Sequence, residues 1–190
     1  MSGAPSPGLL WRIAALGVVV VFFQIGVVSE VPVFGVSADL SPLLVAFVGL
    51  LCGSVVGAVT GFGVGLLVDL ALVQTLGVTS LVLTVVGYFA GRLREARDPQ
   101  AALTPLLVGA AGSAAAMVLY SVVQFLLGVD APVSWELLRQ IVLGVVVNTI
   151  IALPVWALVR RCLIGGLPED PRRRRRRAYT TGGLSPLSRS

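Results

Sequence analysis

Histidine and lysine are both missing from the 190 residues of this chain, and cysteine occurs twice. Without histidine the chain lacks the side chain that most often serves as general base and metal ligand, and two cysteines are too few for a structural zinc site. Charge is scarce as well: 12% of the residues are charged and 56% are hydrophobic, with a mean hydropathy of +0.96. No ordinary water-soluble domain has that balance, so the chain reads as an integral membrane protein. Its apolar runs are long, poorly alternating and rich in Val, Leu, Ala and Gly. Barrel strands would be short and half polar, which makes the expected fold class all-α. The sequence has no serine that a histidine would activate, no carboxylate pair at a defined spacing, no phosphate-binding loop and no metal cluster. Neither catalysis nor a cofactor is expected.

All 14 basic residues are arginines, and their positions sort by region. Arg12 opens the first apolar run, Arg92, Arg94 and Arg97 share one loop, and Arg160, Arg161 and the block Arg172 to Arg177 follow the last run. By the positive-inside rule these regions are cytoplasmic. The other loops carry Glu30, Asp39, Asp130 and Glu136, with Arg139 as the basic exception, and read as external. Cys52 and Cys162 then fall on the cytoplasmic side, where thiols stay reduced and no disulfide is expected.

Leu9 to Val28 is long enough for one span; it exceeds a secretory h-region, and SEVPVFG offers no small-residue cleavage site. Leu40 to Gly91 holds a single charge, Asp69, and joins an external loop to a cytoplasmic one, so it must cross an odd number of times. Three helices fit: Leu40 to Cys52, Ser54 to Leu72 and Val78 to Gly91. The first and last of these look too short for upright, lipid-exposed spans. Asp39 or Ser41 with Pro42 supplies a cap and first turn for the second helix. Leu103 to Leu127 and Leu137 to Val159 complete the set, with Ser134 as candidate cap and Glu136 in the first turn of the sixth helix. The expectation is six transmembrane helices with both termini cytoplasmic, divided into a short N-terminus (1–8), a membrane domain (9–163) and a disordered Arg-rich tail (164–190). Trp11, Trp135 and Trp156 each fall near an expected interface.

The third helix is organised by glycine. Gly53, Gly57, Gly61 and Gly65 recur every four residues, and Asp69 takes the next place in the row. Residues four apart share a helix face, so the row is a bare backbone groove that ends in a carboxylate. In hydrocarbon such a face is a helix-packing or partner surface. Asp69 lies near the outer end, where a carboxylate reaching the headgroups is one reading and a partner contact another. Gly109 to Met117 forms a second small-residue surface. Asn148 and Thr149 sit mid-span ahead of Pro154, where Asn needs a hydrogen-bond partner. A polar pocket that also used Gln24, Thr60, Thr84 and Gln124 is the alternative. In the tail, Arg172, Arg173, Arg174, Arg175, Arg176 and Arg177 suit anionic lipid, at about 1 kcal/mol each near the surface, or serve as a topology anchor. Nucleic acid is not expected.

Val36 to Glu95 resembles the bacterial rod shape-determining MreD family. The features that carry the resemblance are the Asp39-Leu40 start of the second helix, the run Gly61, Phe62, Gly65 and Asp69, the Leu76-Gly77 turn, and Gly87-Tyr88 with Gly91-Arg92. The Arg-rich tail stands outside that pattern, and Cys52-Gly53 replaces a turn where a basic residue is common. The resemblance implies a non-enzymatic scaffold of the cell-wall elongation machinery in the bacterial plasma membrane. It implies association with an MreC-like membrane-anchored protein and, through it, with MreB, RodA and penicillin-binding protein 2. It also implies a fold similar to the substrate-binding subunits of energy-coupling-factor vitamin transporters. Membership of that transporter class is the rival reading. Its Ala-x-x-x-Ala docking face is not matched, because Ala14 and Ala15 are followed four residues on by Val18 and Val19.

The partition of arginines generates a topology prediction. With Cys52 and Cys162 removed, single cysteines at Ser37 and Gly128 should react with an impermeant thiol reagent from outside, and one at Ser185 should not. Labelling of Ser185 from outside would overturn the six-helix orientation.

Overall fold

The computed structural model describes residues 7–28, 38–73, 75–96, 103–128 and 135–166. They form six α-helices: α1 Pro7–Phe23, α2 Leu40–Cys52, α3 Ser54–Ala71, α4 Val78–Ala96, α5 Thr104–Leu126 and α6 Trp135–Leu163. α1 continues through a π-helical turn, Gln24–Val28, and α6 ends in a 3₁₀ turn, Ile164–Gly166. Among the described residues there is no strand. Ser134, Arg97, the acidic residues Glu30 and Asp130, and the arginine block of the tail lie outside the described residues.

Four helical stretches are long and apolar enough to cross a membrane: Pro7–Gly26, Ser54–Ala71, Thr104–Leu126 and Trp135–Leu163. The other two helices fall short for different reasons. α4 runs past the expected end at Gly91 to Ala96, so its last turns include Arg92, Arg94 and Glu95. α2 has 13 residues, about 20 Å of helix against a hydrocarbon core of about 30 Å. Its sequence is apolar all round, the mark of a helix surrounded by protein. Every residue from Leu40 to Leu50 is buried, and Leu43 to Val48 have no exposed surface. α1, α3, α4, α5 and α6 all pack on it. The short second helix is therefore the central post of the bundle.

α2 and α6 run side by side in the same direction. Asp39 meets Asn148 at one level, and the Phe47 and Trp156 rings meet edge to face at another, with centroids 5.3 Å apart. Trp156 packs inward; its position about one helical period from Ala152 and Val159 turns it toward α2. Trp11 and Trp135 remain exposed. Pro154 is carried inside α6 without ending the helix.

This pairing leaves residues 135–147 of α6 beyond the start of α2, about 20 Å at about 1.5 Å per residue. Trp135, Leu138 and Val142 are exposed along this segment, as are Phe125, Leu126 and Leu127 at the facing end of α5. The bundle thus has a packed body around α2, past whose start α5 and α6 extend furthest.

Candidate functional site

The glycine row faces α4. A methyl group on Gly57 would fall on the Gly87 carbonyl and on the Gly49 Cα, one on Gly61 on the Leu83 carbonyl, and one on Gly65 on the Ser80 backbone. The relation is reciprocal: a methyl on Gly87 would strike the Gly57 carbonyl, and one on Gly91 the backbone of Ser54. Gly49 of α2 meets the same Gly87 carbonyl, so glycines from three helices converge at one point with no side chain between the backbones. Gly53 has another task. It joins α2 to α3 alone, at φ +102°, a conformation other residues rarely adopt. Phe62 turns its ring outward, 57% exposed, while its carbonyl accepts from Ser80 Oγ at 2.9 Å.

Asp69 is 1% exposed and does not extend toward the headgroups. Its carboxylate accepts from Gly77 N at 2.8 Å, Thr79 N at 3.3 Å and Ser80 N at 3.4 Å. The physical reason lies in the turn. The Gly77 carbonyl accepts the first bond of α4 from Leu81 N, which makes Gly77 the capping position, and glycine has no side chain with which to cap. Asp69 supplies that cap from the preceding helix, with its negative charge at the positive end of the α4 dipole.

The start of α2 is satisfied in the same manner. Asp39 N donates to Asn148 Oδ1 at 2.9 Å, Leu40 N to Gln24 Oε1 at 2.8 Å, and Ser41 N to Asp39 Oδ1 at 3.0 Å. Asn148 Nδ2 donates to Ser113 Oγ at 3.2 Å, and Gln24 Nε2 to the Ala38 carbonyl at 2.8 Å. Residues from α5, α6 and the π turn after α1 thereby clamp one helix end. Two of the polar residues considered for a pocket, Gln24 and Asn148, do converge, and their amides are engaged with this backbone. Thr60 is buried, Thr84 and Thr149 bond carbonyls in their own helices, and Gln124 donates to Tyr120. The second small-residue surface is also used internally, with Gly109 against Ala152, Leu43 and Phe47, and Gly112 against Ala46. A separate open groove of about 540 Å³ runs along the tip of α6, lined by Trp135, Leu138, Arg139, Val142 and Leu143.

The sequence model of the rod shape-determining protein MreD family matches residues 8–162. The chain belongs to the MreD family. No curated protein matches it, and no solved structure does. Membership gives the chain a role in rod shape determination, as a membrane protein with several helices apolar enough to cross the bilayer. The match also takes in α1, α5 and most of α6, beyond the central stretch whose motifs carry the resemblance.

Against that family background, the Gly61-Phe62-Gly65-Asp69 run holds α3 on α4 and caps α4. Sequence reasoning missed the answering surface. Gly87 and Gly91 are themselves four apart, so the rule that marked the row on α3 also marks its counterpart on α4. Ser113 was legible only as a small residue; nothing in its neighbours points to Asn148.

Two outcomes follow for this site. Gly61→Leu should destabilise the detergent-solubilised protein by about 1–3 kcal/mol through backbone separation, whereas Leu67→Ala on the partly exposed side should change its thermal midpoint little. Equal midpoints would show that the seam tolerates a side chain. Asp69→Leu leaves three amides at the start of α4 without their acceptor and should cost about 2 kcal/mol, with Asp69→Asn intermediate because it keeps one oxygen. An Asp69→Leu protein as heat-resistant as the parent would refute the capping role.

Proposed function

We propose that this MreD-family chain is a non-enzymatic scaffold of the cell-wall elongation machinery. It holds an MreC-like membrane-anchored protein and, through it, links to MreB, RodA and penicillin-binding protein 2. The observation that carries the reading is the division of the fold. The small-residue seams, Asp69 and the amides of Gln24 and Asn148 are engaged in holding the body together, while the α5–α6 tip projects with Trp135, Leu138, Val142, Phe125 and Leu126 exposed. A partner helix lying along that tip would meet apolar surface within the bilayer and at its outer edge, in the orientation the arginines predict. Asp69 contributes by keeping α3 and α4 in register and has no direct part in the contact. The glycine row acts likewise as internal packing.

The test is depletion in the native cell combined with affinity purification and site-specific crosslinking. Depletion should round the cells, purification should recover elongation proteins, and a photocrosslinker at Leu138 should capture the MreC-like protein where one at Leu67 does not. Normal shape and wall synthesis, together with a bound vitamin and an ATP-driven transport unit in the purified material, would replace the scaffold with the transporter reading.

A further inference from the structure

The turn between α3 and α4 is apolar, where a connection at a membrane surface is ordinarily polar. Leu70, Leu72, Val73 and Leu76 are exposed, and the sequence has no charge between Asp69 and Arg92. These residues extend the outer face of α3, along which Val55, Val59 and Phe62 are also exposed. Val73 is the most telling of them. It is 91% exposed, and among the described residues it is the one residue other than glycine with a left-handed backbone, at φ +52°. Glycine or asparagine ends a helix in that conformation at lower cost, and a β-branched residue is strained there. A side chain so exposed gains little packing within the protein, so the contact that offsets the strain lies outside it.

The register of the helices sets the depth of this turn. Val45 meets Gly87 and Gly49 meets Gly91, so α4 runs beside α2 in the same direction, and Asp39 of α2 is level with Asn148 of α6. Val78 therefore starts α4 about three residues past the level of Asn148, while α6 continues about six residues further, or about 9 Å, to Arg139. The turn rises through part of that distance and lies deeper than the exposed Arg139–Glu136 pair, which marks the polar boundary on α6. Its backbone suits that depth. The amides of Leu72, Gly77, Val78, Thr79 and Ser80 all have acceptors within the protein, three of them on Asp69. Irregular backbone whose amides lack such partners is excluded from hydrocarbon. We propose that the α3–α4 turn is inserted in the bilayer as an apolar wedge, with Leu72, Val73 and Leu76 against the acyl chains of phospholipids. The wedge holds the α3–α4 seam at a set depth in one leaflet, and Asp69 caps α4 where water does not reach.

The test uses the full chain with Cys52→Ser and Cys162→Ser, carrying Leu76→Cys or, as control at the exposed start of α6, Glu136→Cys. A fluorophore is attached to the single thiol, and the protein is reconstituted in dioleoylphosphatidylcholine vesicles at a low protein-to-lipid ratio, with iodide on both faces. The label at Leu76 should be quenched strongly by phosphatidylcholine brominated on its acyl chains, and several-fold less by iodide than the label at Glu136. Should a label at Leu76 disturb the turn, one at Val73 must give the same result. Iodide quenching equal to that at Glu136 would place the turn in water and overturn the proposal. Protection from both quenchers would overturn it too, because protein and not lipid would then cover the turn.

Discussion

Helix ends inside a membrane protein have no water to satisfy them, and this constraint orders the rest of the structure. A helix leaves its first backbone N–H groups without internal partners, and each one left unpaired in an apolar setting costs several kcal/mol. α2 cannot turn its start to solvent, because α1, α3, α4, α5 and α6 surround it. Its first amides are instead received by Asn148 from α6, Gln24 from the π turn and its own Asp39. α4 begins at a glycine and is capped by Asp69 across the turn. Each of these polar side chains thus fixes one helix against another in the act of satisfying a backbone group, which gives register as well as stability.

Between those clamps the body is held by contact of bare backbones. Hydrophobic burial drives helix association weakly in lipid, so close approach has to provide the attraction, and the Gly49, Gly57 and Gly87 convergence brings three helices as near as backbones allow. Such a junction has little room to adjust. Rigidity there suits the proposed scaffold role, because a partner docking on a fixed geometry would lose less freedom on binding. The two ends of the molecule differ in character: one exposes Trp135, Leu138, Phe125 and Leu126, and the other carries Arg12, Arg92, Arg94, Arg160 and Arg161.

Most of the architecture was legible from composition and spacing. The absence of charge over long runs marked the helices, and the ends of α2, α3 and α5 fall within a residue of those expected, with Asp39 marking the start of α2. The ends of α4 and α6 ran longer than expected, because arginines and an N-terminal glutamate continue a helix at the membrane edge even though they end its apolar stretch. The four-residue glycine spacing identified a packing face and not its occupant.

By itself the sequence determined that the chain is helical and membrane-embedded, which residues are too small to keep helices apart, and that a polar residue such as Asn148 must find a partner. Those are local or compositional properties, set by hydropathy, period and the cost of an unpaired group. Only the tertiary structure decided that Asp69 faces inward to α4, that Asn148 and Gln24 meet at the start of α2, and that Arg12 lies beside Gly165. Each of these depends on which helices become neighbours and at what height. Helical period fixes a residue's direction around its own axis, and the identity of what stands opposite arises only when six helices pack together.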